Sequence, residues 1–129
     1  MRIQHLSVSA LSVPLIEPFV IATGRVDTTR AALVQVGVVA PDGRRVVGLG
    51  EAAALPPVTA EDQPDLLAQL HAASARLTGA TLTDHDGSTA STASSATPAI
   101  TELLDGCFDG QPVARAGMEC ALLDAAAQL

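Results

Sequence analysis

A chain of 129 residues, 48% of them hydrophobic, is long enough to bury a core without disulfide or metal staples. Aromatics make up only 2%, with no Trp or Tyr, and the net charge is −7, so neither base stacking nor phosphate contacts are provided for and no nucleic-acid partner is expected. No apolar run approaches the roughly 18 residues of a membrane span, and Met1 to Ser7 lacks the apolar region of a signal peptide, so no membrane is expected and a cytoplasmic location is.

From Ile3 to Leu15, Leu6, Val8 and Ala10 fall on one face and Leu11 and Val13 on the other, the pattern of a strand with a bulge. Pro14 and Pro18 then bracket a loop, Leu15 to Asp27, that is unusually apolar and needs cover from another surface. Residues 31–40 form the clearest strand, with Ala32, Val34, Val36 and Val38 on one face. Pro41-Asp42-Gly43 is turn chemistry, and Arg45 to Gly50 returns antiparallel, giving three strands in a meander. Val46 to Thr59 organises the rest: a short apolar strand broken at its end by Gly48 and Gly50, then a small-residue loop stiffened by Pro56 and Pro57. That loop is either a buried connection or a ligand contact. Glu51, at the strand end, either caps the loop or binds something.

Thr59 is positioned to cap a helix, with Asp62 three residues on and Pro64 in the first turn. Leu66, Leu70, Ala73 and Leu77 form its apolar stripe, and Gly79 stops it. Residues 81–97, rich in Ser, Thr and Ala, read as a flexible insertion with almost nothing to bury. Pro98 opens a short helix through Leu104. Gln111-Pro112 opens the last helix, 113–129, with Met118, Leu122, Ala125 and Leu129 as one stripe and Ala114, Gly117 and Ala121 as a small-residue face. This helix has no stop signal and is expected to run on. Asp124, among Ala and Leu, is expected to pair with a basic group on a neighbouring element.

No complete catalytic set is present. Asp84-His85-Asp86 reads as a polar turn rather than a metal site, and His5 and His71 stand alone. No Gly-x-Ser-x-Gly elbow, P-loop or dinucleotide fingerprint occurs, and there is no lysine. Cys107 and Cys120 are too few for a disulfide framework and are expected to be free, largely buried thiols.

Four stretches nonetheless carry a resemblance: Val13-Pro14-Leu15 with Pro18-Phe19; the Pro-Asp-Gly hairpin; Gly48-Leu49-Gly50-Glu51-Ala52-Ala53 running to Pro57-Val58-Thr59; and Ala114 to Asp124. In this order they resemble the N-terminal capping domain of the enolase superfamily, in its muconate lactonizing enzyme and mandelate racemase branch, and most of all dipeptide epimerases. The resemblance implies an α+β fold, a three-stranded antiparallel meander packed on a small helical bundle. It also implies a catalytic (β/α)₇β barrel beyond residue 129. That barrel would supply the lysines and the Mg²⁺ site for α-proton abstraction from dipeptides or N-acyl amino acids, while this chain holds no metal and no catalytic residue and is inert alone. Two lid loops would meet a small-molecule substrate, through Phe19, Ile21, Thr23, Gly24 and Arg25 in the first and Ala54, Leu55, Pro56 and Val58 in the second. Gly24 falls where many dipeptide epimerases carry a carboxylate-binding Arg, with Arg25 beside it. Gly50, Glu51 and Asp124 would be structural. The barrel of the same enzyme is the expected partner, and the full-length protein is expected to be a homo-oligomer. A muconate cycloisomerase or o-succinylbenzoate synthase remains an alternative within the family, and a stand-alone α+β binding module outside it.

Overall fold

The computed structural model describes residues 1–22, 24–84, 87–90 and 92–129. Strand β1 (Arg2–Leu11) carries the expected bulge, its register shifting between Ile3 and His5. The apolar stretch expected as a loop is instead a ribbon of β2 (Pro14–Ile21) and β3 (Gly24–Thr28), paired at Phe19–Val26, Val20–Arg25 and Ile21–Gly24. Pro14 and Pro18 have no amide proton to give a ladder, and the pairing is interrupted between Pro14 and Phe19, which masks the strand in the sequence. Strands β4 (Arg30–Val39) and β5 (Arg45–Ala54) join through a turn in which Gly43 has φ 88° and the Asp42 carboxylate accepts from the Arg44 amide at 3.0 Å. The sheet order is β1-β4-β5, all antiparallel: the expected meander, with the ribbon inserted between its first two strands.

Helix α1 (Gln63–Leu77) buries Leu66, Leu70, Ala73 and Leu77 as its spacing requires. Its cap is Asp62, not Thr59: the Asp62 side chain accepts from the Gln63 amide at 2.7 Å, and the Asp65 carboxylate accepts from the Asp62 amide at 3.0 Å. Helix α2 (Ala93–Asp105) starts well before Pro98, which lies inside it, because Thr92 and Ser95 form a reciprocal cap and Ala96, Ile100 and Leu104 make a buried stripe. Leu82 and Ala90 are also buried, and the Met1 amino group donates to both of their carbonyls. The 81–97 stretch therefore does have side chains to bury; His85, Asp86 and Ser91 lie outside the described residues. Helix α3 spans Pro112–Ala127. Cys107 is half-buried and Cys120 exposed, so the free thiols are less covered than expected. His5 and His71 are both on the surface.

The strand reading at Gly48 and Gly50 needs correction. β5 runs straight through both glycines to Ala54, and Gly48, Gly50, Ala52 and Ala54 are the residues that alternate toward α3. The helix lies so close that a Cβ at Gly50 would stand 2.1 Å from the Gly117 carbonyl oxygen, and one at Gly48 2.0 Å from that of Ala121. The small-residue face of α3 is the other half of this contact, since a Cβ at Gly117 would stand 2.7 Å from that of Ala52. These glycines neither end nor turn the strand; they let helix and sheet approach backbone to backbone. Asp124 likewise departs from expectation. Its carboxylate accepts from the Leu49 amide at 2.8 Å and from the Gln128 side chain at 3.2 Å rather than from a basic group. Gln128 in turn donates to the Val47 carbonyl at 3.0 Å, so α3 satisfies backbone groups on the free edge of β5.

Candidate functional site

At one end of the sheet, β1 leaves into the ribbon and β4 returns from it. That junction is stapled on both sides. The Thr29 amide donates to the Val13 carbonyl and the Val13 amide to the Thr29 hydroxyl, both at 2.9 Å. Gln63, held by the first turn of α1, donates through Nε2 to Ser12 Oγ at 2.9 Å and to the Ala31 carbonyl at 2.7 Å. Arg30 forms a two-pronged pair with Asp62, Nε to Oδ1 at 2.6 Å and Nη2 to Oδ2 at 2.8 Å. The ribbon is therefore rooted on the N-terminus of α1.

Beside it, β5 ends at Ala54 and the chain turns through a cis peptide between Pro56 and Pro57. Thr59 closes this turn from within. Its hydroxyl accepts from the Leu55 amide and donates to the Glu61 carbonyl, each at 2.8 Å, while the Val58 and Thr59 amides donate to the Leu55 carbonyl at 2.7 and 3.0 Å. The Thr59 oxygen is thus committed to the loop and is not free to cap α1. Glu61, only 5% exposed, is the residue that the sequence reading missed. Its carboxylate accepts from the Val113 and Ala114 amides, both at 3.0 Å, and so caps α3 across a separation of 52 residues.

Between ribbon and turn lies an open groove of about 760 Å³. Of the residues expected in the two lid loops it brings together Phe19, Arg25, Ala54, Leu55 and Pro56. Ile21 and Gly24 pair at the ribbon tip, outside the lining, and Val58, 69% exposed, also stands outside it. Thr23 lies outside the described residues. Glu51 borders the groove from mid-strand instead of ending a strand and turning the loop. The apolar cover that this stretch calls for does not come from the described residues: Ile16 and Val20 are fully and two-thirds exposed, and Phe19 is half exposed.

The charges in the groove are largely spent on each other. Arg25 Nε donates to both Asp27 oxygens, at 2.9 and 3.1 Å, while Arg30 holds Asp62 through Nε and Nη2. Those hydrogen bonds, with the opposite charge behind them, hold the Asp27 and Asp62 carboxyls below the usual aspartate range and raise both arginines above their ordinary value. Among the described residues no three His, Cys, Asp or Glu side chains are grouped so as to hold a metal ion, and no helix is long and apolar enough to cross a membrane. A second groove of about 720 Å³, between residues 81–84 and α2, contains none of the expected lid residues.

Residues 4–129 match the model of the mandelate racemase / muconate lactonizing enzyme N-terminal domain. The chain belongs to this family. An aromatic dipeptide epimerase of Herpetosiphon aurantiacus is 33% identical over 123 residues, which are 95% of this chain and 30% of that protein. A crystal structure of a mandelate racemase/muconate lactonizing protein from Herpetosiphon aurantiacus is 32% identical and superposes with a TM-score of 0.70, over 95% of this chain and 30% of that one. A dipeptide epimerase from Enterococcus faecalis, solved with Mg and the dipeptide L-Leu-L-Tyr, shares the fold at a TM-score of 0.71 and 23% identity, over 94% of this chain and 30% of that one. This enolase-superfamily N-terminal domain therefore spans 30% of the length of the curated relative that it matches, and its relatives are larger enzymes of the epimerase and racemase kind.

Proposed function

We propose that this domain is the lid of a two-domain racemase or epimerase, and that the groove between ribbon and turn selects a dipeptide or N-acyl amino acid for α-proton abstraction on a neighbouring barrel. The observation that carries the reading is the groove itself. Two separate chain segments, each fixed by its own hydrogen bonds, present Phe19, Leu55 and Pro56 around an opening with no cover of its own. Because Asp27 and Asp62 neutralise Arg25 and Arg30, the groove favours an apolar substrate side chain over a carboxylate. That preference agrees with the similarity to an aromatic dipeptide epimerase. The chain has no lysine to take a proton; that group, and the residues that would hold a magnesium ion to stabilise negative charge developing on the substrate, would belong to the barrel.

The test is Leu55→Asp in the complete protein. Replacing this apolar side chain of the lid with a carboxylate should raise KM for an apolar dipeptide by about tenfold, while kcat changes little. The circular dichroism spectrum should be unchanged, because the hydrogen bonds at this position use the Leu55 backbone alone. Unaltered kinetics, or a loss of folded structure, would contradict this role for the loop.

A further inference from the structure

Both walls of the groove are held by one short run of chain. Thr59 and Glu61 fix the turn that carries Leu55 and Pro56, and the next two residues, Asp62 and Gln63, fix the ribbon. Gln63 reaches furthest. Its Nε2 donates to the Ala31 carbonyl at 2.7 Å and to Ser12 Oγ at 2.9 Å, with the Leu11 carbonyl at 3.3 Å. Leu11 and Ala31 face each other on the last rung between β1 and β4, where the chain leaves for the ribbon and returns from it. One amide therefore holds both legs, and with two hydrogens to give, its plane is fixed by where the legs stand. The Arg30–Asp62 pair holds only the returning leg, through side chains 47% and 37% exposed, where water screens it. Among the described residues no helix and no other strand packs extensively on the ribbon, so its angle to the turn is set at the root.

Resting on the lid function above, we propose that Gln63 is a positioning residue for the substrate. It does not line the groove. It sets how far the ribbon stands from Leu55 and Pro56, and so how large an apolar side chain the groove accepts. The lever is long. Phe19 lies six residues beyond Val13, about 20 Å along an extended chain, so a tilt of about 5° at the root moves it by about 2 Å. A change on the scale of one methylene group is enough for an apolar pocket to discriminate between substrates.

Gln63→Met keeps the length of the side chain and the helix-forming tendency of the position while removing both donors. The cap of α1 survives, because Asp62 accepts from the backbone amide of that position. Amide hydrogen exchange on the 129-residue chain should speed up about tenfold at Val13 and Thr29, whose mutual bonds close the root, and stay unchanged at Leu55 and Thr59. In the complete protein the same change should raise KM for an apolar dipeptide about fivefold, with kcat within about twofold. Gln63→Glu, which sets a carboxylate against the Ala31 carbonyl, should raise it further. Exchange that speeds up equally at all four amides marks lost stability rather than lost position and overturns the proposal, as does unchanged exchange at Val13 and Thr29. If the root loosens and KM holds, while Leu55→Asp raises it, the proposal falls and the lid function stands. If KM is indifferent to both changes, the two fall together.

Discussion

Gly50→Ala should destabilise the chain by about 3 kcal/mol, the upper range for overpacking a closed contact. The substitution is normally mild in a strand, and alanine even has the lower unfolded-state entropy. Here the added methyl would fall 2.1 Å from the Gly117 carbonyl oxygen and 2.7 Å from the Ala121 amide nitrogen, both of them backbone atoms that no rotamer change can move. The only relief is to lift α3 off β5. That would loosen the packing of Ala52 and would pull Asp124 from the Leu49 amide, so the cost spreads along the whole interface. For a chain of this size such a loss lowers Tm by about 10 °C, measurable by thermal unfolding. Gly43→Ala is the control: it meets nothing within 4 Å, and its cost should be only that of the positive φ. Equal stability of Gly50→Ala and the parent chain would mean that helix and strand are further apart than described.

Glu61→Ala should cost about 3 kcal/mol for a different reason. It leaves the Val113 and Ala114 amides, at the N-terminus of α3, without their acceptor in a buried place where water does not easily replace it. Glu61→Gln keeps one acceptor oxygen but no charge opposite the helix terminus, and should cost about half as much. The two variants also separate stability from the order of the turn after β5. Glu61 is tied through its own carbonyl to Thr59, and Thr59 to the Leu55 amide. Hydrogen exchange at Leu55 and Thr59 should therefore speed up in Glu61→Ala even at temperatures where the core stays protected. Unchanged exchange at these two amides would show that the turn does not depend on its anchor.

Much of this fold is legible in the sequence because it is local and periodic. The alternation of Ala32, Val34, Val36 and Val38 and the steps from Leu66 to Leu77 carry β4 and α1 directly. The cap of α1 is misplaced from sequence because Thr59-x-x-Asp62 and Asp62-x-x-Asp65 fit the same pattern, and only the tertiary structure shows the Thr59 hydroxyl occupied in the turn. The start of α2 is hidden by residues that look featureless, although Ala96, Ile100 and Leu104 do recur at helical spacing. The partners of Glu61 and Asp124 are out of reach altogether, since each carboxylate binds backbone amides that are distant in sequence and have no signature of their own. Of the groove between ribbon and turn, the two flanking segments are readable, and five of the residues named from the sequence line it. The pairing of Arg30 with Asp62 is not readable, because it joins a strand to the cap of a helix 32 residues further on, whereas Arg25 and Asp27 stand two apart along β3.

The proposed division of labour between this domain and a catalytic barrel is tested most directly by deuterium exchange at the α-carbon of an apolar dipeptide in D₂O with Mg²⁺, followed by proton NMR. The complete protein should wash the proton out, and the 129-residue chain alone should not, at any concentration. Exchange catalysed by the isolated chain would place the chemistry on residues described above and would contradict the account.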